Sequence, residues 1–301
     1  DDLLAKAGGT AAEDGGLGAK PGGTAGKNRG MGAKHGGAAG KNGGMDAKNG
    51  GTPGKSHGMA ANHGGERQDD HLAAWLTVGR VLDLLTVPLV ITALYFAMVR
   101  APEAGRDAGG IVQRVFYFHV PFAMAAFLGF GIVLVASIGF LSHGRRSWDA
   151  TAEAAAETGL LCCTVVLLTG PVWARFAWNT WWTWDARLTS TLVLWLIYAG
   201  YLLLRTYMAE DARVRRYAAV LGIIGALNVP IVYLSVRWFR TQHPETFITK
   251  RGGLDPSMAV ALRLGMLAVF TVFAALLVKR LLLGRLEARV AALRAGIEAR
   301  E

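Results

Sequence analysis

The 301-residue sequence has few cysteines and few charges. Its two cysteines, Cys162 and Cys163, are adjacent, which excludes both the disulfide framework of a small secreted fold and a zinc site of spaced cysteine pairs, and favours a packing role. Only 18% of the residues are charged, below the roughly 25% of an average soluble protein. A nucleophile elbow, an HExxH motif and a dinucleotide fingerprint are all missing, so we expect a protein that is not an enzyme.

Glycine and tryptophan divide the chain into two unlike parts. Residues 1–70 contain 21 of the 39 glycines, whereas residues 71–301 contain all nine tryptophans. The formal net charge of +10 also divides unequally, with +1 in the first part and +9 in the second. A basic balance can indicate nucleic-acid binding, but here the arginines lie between apolar stretches, which indicates membrane topology and no nucleic-acid partner.

The first part repeats every 14 residues, at 4–17, 18–31, 32–45 and 46–59, with a partial copy at 60–65. Each unit offers at most one or two apolar side chains larger than alanine. Such units cannot bury enough apolar surface to offset the entropy lost on ordering. We therefore predict that residues 1–70 form a disordered, low-complexity, glycine-rich tail.

The second part contains six long apolar stretches without a central charge. A membrane-spanning helix needs roughly 20 such residues, whereas barrel strands are shorter and alternate in polarity. We predict an all-α polytopic membrane protein with six transmembrane helices in residues 71–285, followed by a charged C-terminal tail at 286–301. The apolar stretches are 84–99, 116–141, 159–178, 188–204, 217–236 and 258–283.

Six spans place both termini and the connections 2–3 and 4–5 on one side of the membrane. Near the spans, that side has 13 Lys and Arg residues and the opposite side has ten. Since cytoplasmic loops carry an excess of these residues, the count favours cytoplasmic termini. The connections 1–2, 3–4 and 5–6 then face the opposite compartment.

The connection between the third and fourth stretches is rich in tryptophan at 170–190. An interfacial aromatic belt is one interpretation, but five indoles within 12 residues exceed what a belt requires, and their spacing fits no single helical stripe. We favour a platform for a flat, apolar, aromatic ligand, since indoles combine a large apolar face with an N–H donor. The five are Trp173, Trp178, Trp181, Trp182 and Trp184.

Two charged residues end this segment, and each has two interpretations. Asp185 could contact the ligand, but it could equally cap the following helix by accepting hydrogen bonds from its free N–H groups. Arg187 could pair with an anionic ligand group or with Asp185.

Two histidines lie on the same side as the tryptophans: His119 at the mouth of the second span and His243 just outside the fifth. Two imidazoles beside an aromatic platform can supply both axial nitrogens to haem iron. Several arginines on that side could meet the haem propionates, although most could also be ordinary interface charges. Besides Arg187, they are Arg114, Arg175, Arg237 and Arg240.

Three segments resemble the WWD family, the haem-handling proteins of cytochrome c maturation. WNTWWTWDARLTS (178–190) resembles the family's tryptophan-rich signature, and RVFYFHVPFAM (114–124) and SVRWFRTQH (235–243) resemble the segments that carry its two haem histidines. Six spans with the signature between the third and fourth are similar to the CcmC branch, over about residues 75–285. The family usually has glycine where this chain has Ala174 and Asn179, and an acidic residue at Arg237.

The resemblance implies a function in haem delivery. The segment from Trp173 to Arg187 would hold haem b at the periplasmic face of a bacterial inner membrane, with iron ligated by His119 and His243. The protein would present this haem to the membrane-anchored chaperone CcmE. The ABC transporter subunits CcmA and CcmB and the small membrane protein CcmD would complete the assembly.

Two alternatives remain open. A sibling of the same family, a haem lyase that attaches haem to apocytochrome, shares the WWD segment but usually has further spans and histidines inside the membrane. A small-solute transporter would show internal repeats or polar residues at mid-membrane depth. Asn228, followed by Pro230, is the best candidate for such a residue, and it could equally serve helix packing.

Overall fold

A computed structural model describes residues 56–105, 109–208, 211, 213–239, 241, 243 and 254–300, with side chains from Leu72 onward. Six long helices form this part of the chain, and no strand occurs among the residues described. A π-helical turn, Phe96–Arg100, extends the first helix, and a 3-10 helix, Gly110–Val115, leads into the second. The long helices are α1 (Ser56–Tyr95), α2 (Phe116–His143), α3 (Arg146–Trp178), α4 (Ala186–Tyr207), α5 (Val214–Trp238) and α6 (Pro256–Glu298).

All six helices are long and apolar enough to cross a membrane. The predicted all-α, six-span architecture is therefore confirmed, and the chain is a multi-pass membrane protein. The helix boundaries differ from the sequence-based segments at both ends, because α1 begins at Ser56, before residue 70, and α6 continues to Glu298. Of the tail predicted for residues 1–70, residues 1–55 lie outside the described residues.

Consecutive helices cross the bundle in opposite directions, which gives it two ends. We call the end that carries the connections after α1, α3 and α5 the cavity end, and the other the termini end. At the termini end the chain reverses tightly between α2 and α3. Gly144 adopts a left-handed φ of 67°, and its N–H donates to the carbonyl of Phe140, so that α2 ends and α3 begins two residues later.

Small residues allow α2 and α3 to pack closely. A Cβ added at Gly129 would lie 2.9 Å from the Cα of Gly159. Near this contact, the ring of Phe130 stacks on Tyr198 with centroids 3.9 Å apart, and the Tyr198 hydroxyl donates to the carbonyl of Gly222 at 3.0 Å. Close approach through small residues and hydrogen-bonded polar groups is typical of helix packing in membranes.

A network of ion pairs joins α3, α4 and α6 at the termini end. The guanidinium of Arg205 contacts Asp149 at 2.6 Å and Glu153 at 3.0 Å, and Arg280 contacts Glu157 at 2.5 Å. The Arg205 and Asp149 side chains are 9% and 11% exposed. These charges are buried as pairs, which is the condition under which buried charges are tolerated.

Each of α2, α3 and α5 contains an internal proline towards the cavity end: Pro121, Pro171 and Pro230. Since proline has no N–H, each interrupts the backbone hydrogen bonding of its helix by one bond. Between Pro230 and the bundle centre, the side-chain amide of Asn228 donates to the carbonyl of Ser190 at 2.9 Å. This contact joins α4 to α5, so the polar residue considered for a transporter serves helix packing.

Candidate haem site

A cavity of about 180 Å³ lies at the cavity end between α2, α3, α4 and α5. Its wall is mostly apolar and aromatic, and it includes the thiol-bearing residue Cys163. Six of the predicted site residues line it, although they come from five different parts of the chain. These are His119, Trp173, Trp178, Trp182, Arg187 and His243.

His119 lies in the first turn of α2, where its ring is oriented by α3. Its Nδ1 lies 2.8 Å from the hydroxyl oxygen of Thr169, and that hydroxyl donates to the carbonyl of Val165 at 2.7 Å. Since a hydroxyl has one proton, Thr169 accepts from His119, so Nδ1 carries the ring proton and Nε2 carries the lone pair. Gly170 gives the ring room, because a Cβ there would lie 3.4 Å from its Cε1.

His243 lies in the α5–α6 connection and is contacted by Arg187 from the first turn of α4. One terminal nitrogen of Arg187 lies 3.2 Å from Nδ1 of His243. The other two guanidinium nitrogens donate to the carbonyls of Val232 and Tyr233, at 3.3 and 3.2 Å. Arginine has no acceptor, so Nδ1 of His243 accepts this hydrogen bond. The partner of Arg187 is thus His243, whereas the sequence predicts Asp185 or an anionic ligand group.

The five tryptophans do not form one surface. Trp173 and Trp178 meet edge to face with ring centroids 4.9 Å apart, and Trp182 and Trp184 do so at 5.8 Å. Trp173, Trp178 and Trp182 line the cavity, whereas Trp181 and Trp184 are 60% and 76% exposed and lie outside it. The indole N–H of Trp182 is buried and has no acceptor among the described residues.

Asp185 is the N-cap of α4. Its carboxylate accepts from the backbone N–H of Leu188 at 2.9 Å and from the Thr183 hydroxyl at 3.4 Å, and the residue is not part of the cavity wall. Of its two interpretations, this geometry favours the cap. The cap also sets where α4 begins and so positions Arg187 in the first helical turn.

Three of the other four predicted arginines are described, and none of the three lines the cavity. Arg175 donates to the side chain of Asn179, Arg237 is exposed, and Arg114 does not line the cavity. Arg240 lies outside the described residues. Asn179 ends α3 with a left-handed φ of 55°, a conformation that glycine and asparagine adopt most readily, which explains how asparagine can stand where the family usually has glycine.

Thr169 is the site residue that sequence analysis missed. It precedes the tryptophan-rich segment and is 50 positions from the histidine that it orients. A threonine inside an apolar stretch is common in membrane helices, and nothing in its local sequence distinguishes it. Only the packing register of α3 against α2 brings its hydroxyl to His119.

Comparison with known proteins adds an independent finding. Residues 68–296 match the sequence model of the family described as heme exporter protein C. Heme exporter protein C of Bradyrhizobium diazoefficiens is 36% identical over 204 residues, which are 67% of this chain and 74% of the relative. The Escherichia coli K12 protein of the same name is 34% identical over 154 residues, 51% of this chain and 62% of that protein.

A further relative from Marchantia polymorpha is named as a ccmC-like mitochondrial protein of cytochrome c biosynthesis. It is 33% identical over 164 residues, which are 54% of this chain and 68% of the relative. The resemblance predicted from the tryptophan-rich segment and the two histidine segments is confirmed by these matches.

Proposed function

The chain belongs to the heme exporter protein C family, whose members handle haem for cytochrome c maturation, and from this premise we propose that it binds haem in the cavity and presents it to a haem chaperone. The observation that carries the proposal is the convergence of His119 and His243 on one cavity. His119 comes from the first turn of α2 and His243 from the α5–α6 connection, 124 positions apart, and both meet a wall built largely of aromatic and aliphatic side chains.

The donor set of the cavity fits a haem. His119 has its Nε2 lone pair available, and His243 provides the second imidazole, so the two rings can serve as axial ligands. Trp173, Trp178 and Trp182 offer apolar ring faces for the porphyrin. Bound haem supplies iron that accepts these two nitrogens, and the protein supplies their position and the apolar surroundings.

Two polar groups of the wall suit the propionates. The buried indole N–H of Trp182 needs an acceptor, and the guanidinium of Arg187 can bind a carboxylate through two parallel hydrogen bonds. Arg114, Arg175 and Arg237 would take part only after their side chains move to the bound haem, and Arg240 is proposed as a propionate contact from its position in the sequence alone.

The size of the cavity supports presentation rather than storage. A volume of about 180 Å³ is smaller than the roughly 300–1,000 Å³ of sites that enclose a drug-sized ligand. The cavity can therefore enclose only part of a porphyrin, and the remaining edge stays available to a second protein. A protein that hands over its ligand needs such an open edge.

The same family membership supports a proposal for the cellular setting. We place the protein in a bacterial inner membrane, with both termini in the cytoplasm and the tryptophan-rich connection in the periplasm. Its cargo is haem b, its recipient is CcmE, and CcmA, CcmB and CcmD are its partners in the complex. The absence of a nucleotide-binding motif from this sequence agrees with a separate ATP-hydrolysing subunit.

A test compares three histidine variants purified together with the chaperone. We expect bound haem with a bis-histidine absorption spectrum in the parent, and a changed or lost spectrum in His119→Ala and His243→Ala. His143→Ala is the matched control, since His143 lies at the termini end and contacts the carbonyl of Gly139 at 3.1 Å. Its spectrum should equal that of the parent.

Delivery is measured separately by haem staining of the chaperone after denaturing electrophoresis. Both site variants should reduce staining of the chaperone, and His143→Ala should not. Parent-like spectra in both site variants would refute the ligand assignment. A parent protein without haem, under haem-replete expression, would refute haem binding altogether.

A further inference from the structure

The two histidines of the cavity have opposite hydrogen-bond environments. Nδ1 of His119 donates to Thr169, whose own proton is committed to the carbonyl of Val165. Nδ1 of His243 accepts from Arg187, which can only donate. The neutral rings are therefore opposite tautomers, with the proton on Nδ1 in His119 and on Nε2 in His243.

This difference decides which ring can ligate a metal. Iron binds a ring nitrogen through its lone pair, and a neutral imidazole has one. In His119 the lone pair is on Nε2, and Thr169 holds the ring in that state. In His243 the lone pair is on Nδ1 and is already engaged by Arg187, while Nε2 carries the proton, so neither nitrogen can ligate while the contact persists.

We propose that Thr169 and Arg187 are positioning residues that impose an order on iron ligation, with His119 binding first and His243 binding only after Arg187 has withdrawn. The inference rests on the proposed haem function and adds a sequence of events to it. Thr169 prepares one ligand in advance, and Arg187 withholds the other until the ligand is present.

A haem propionate is the group that releases Arg187. A carboxylate forms charge-assisted, paired hydrogen bonds with a guanidinium, which are stronger than a single bond to a neutral imidazole. The carboxylate can pair with the two terminal nitrogens of Arg187 while the guanidinium keeps its hydrogen bonds to the Val232 and Tyr233 carbonyls, so that only the bond to His243 is replaced. Once that bond is released, Nε2 of His243 loses its proton to water and Nδ1 gains one from water. The ring keeps its charge, and its lone pair moves to Nε2, where it can bind iron.

The ligand-free protein provides the first test, because it requires no haem. Nitrogen-15 NMR of histidine-labelled protein in bilayers distinguishes the two tautomers, and single His→Asn variants assign the signals. We expect a protonated Nδ1 in His119 and a protonated Nε2 in His243. The same tautomer in both rings would overturn the proposal.

The second test follows ligation in time by stopped-flow absorption after mixing with ferric haem. The parent should show two phases, an early spectrum of iron with one histidine ligand and a later low-spin spectrum with two. Arg187→Met, which removes the donor, should accelerate the later phase at least about tenfold, because hydrogen bonds from charged donors are worth that factor or more. Arg187→Lys, which retains a donor, should accelerate it less.

Thr169→Val should slow the early phase, since the valine has the shape of threonine but cannot accept from His119. Thr169→Ser restores the hydroxyl and should restore the rate, which a purely structural effect of the valine would not explain.

Haem dimethyl ester, whose propionates cannot bind a guanidinium, should slow the later phase in the parent and leave it unchanged in Arg187→Met.

The outcomes separate this inference from the function on which it rests. A parent that binds haem through both histidines, but whose later phase does not respond to Arg187→Met, refutes the ligation order alone. So does a single-phase formation of the low-spin spectrum in the parent. A parent that binds no haem refutes the proposed function, and the tautomer measurement then still reports on the contacts of Thr169 and Arg187.

Discussion

Asp185 and Arg187 lie two positions apart at the start of α4, one as its N-cap and the other in its first turn, and they make different contacts. The carboxylate of Asp185 satisfies a backbone N–H at the start of the helix, whereas the guanidinium of Arg187 crosses to α5 and to His243. Both residues belong to the tryptophan-rich signature. Asp185 stabilises the start of α4, whereas Arg187 lines the cavity and contacts His243.

Substitution of the cap separates the effects of these contacts. We expect Asp185→Ala to lower the free energy of unfolding by about 1 kcal/mol, the usual value for a lost N-cap, and Asp185→Asn to lower it by much less. Because asparagine keeps the cap and removes the charge, its haem spectrum should equal that of the parent. Denaturant titration and absorption spectra measure the two effects, and loss of haem in Asp185→Asn would show instead that the carboxylate acts on the ligand.

The predictability of the site also differs from residue to residue. His119, His243, Trp173, Trp178 and Trp182 were predicted from sequence patterns and the family resemblance, and the structure brings them to one cavity. The contacts that orient the two histidines were not predicted. They depend on the register between helices that are far apart in sequence, and no local pattern encodes that register.

At the element scale, glycines bring the backbones of α2 and α3 close together. Replacing Gly129 by alanine would place a Cβ 2.9 Å from the Cα of Gly159, so the helices must separate. We expect Gly129→Ala to lower the free energy of unfolding by about 1–3 kcal/mol, the usual cost of overpacking.

Gly131 is the matched control, since a Cβ there meets nothing within 4 Å. Gly131→Ala should leave the stability unchanged or raise it slightly, because alanine favours helix more than glycine does. Denaturant titration of both variants in the same detergent measures the difference. Equal stabilities would contradict the close contact.

The helices themselves were predictable because long apolar stretches have few alternatives in a membrane. Their ends were not. An apolar stretch ends where the helix leaves the membrane, so hydropathy does not report the helix beyond that point. The helix α6 continues to Glu298 through a segment rich in Ala, Leu, Arg and Glu, which are strong helix formers. Helix propensity predicts this extension, whereas the high content of charged residues led to the prediction of a tail at 286–301.

At the scale of the whole molecule, the buried ion pairs hold the termini end together. Arg205→Ala would leave Asp149 buried without its partner, and we expect a loss of about 3–5 kcal/mol in the free energy of unfolding. Arg213→Ala removes an exposed pair with Asp211, whose side chains are 79% and 37% exposed, and should change the stability by less than about 1 kcal/mol. Denaturant titration would contradict the prediction if the two variants were alike.

The orientation in the membrane is testable with single cysteines. Both native cysteines are buried, so they should react slowly with a membrane-impermeant maleimide. Glu103→Cys, in the connection after α1, should be labelled in cells whose outer membrane alone is permeabilised. Arg213→Cys, in the connection after α4, should be labelled only after the inner membrane is opened, and the reverse pattern would invert the proposed topology.

Three helix-internal prolines lie in helices of the cavity wall, towards the cavity end, and a fourth, Pro88, lies in α1. Towards the termini end, ion pairs join α3, α4 and α6. Towards the cavity end, Pro121, Pro171 and Pro230 each remove one backbone hydrogen bond from a helix of the cavity wall. Ion pairs therefore join helices at one end of the bundle, and helices of the cavity wall have fewer backbone hydrogen bonds towards the other. A movement of the helix ends that widens the mouth of the cavity therefore has fewer backbone hydrogen bonds and no ion pair of this network to break.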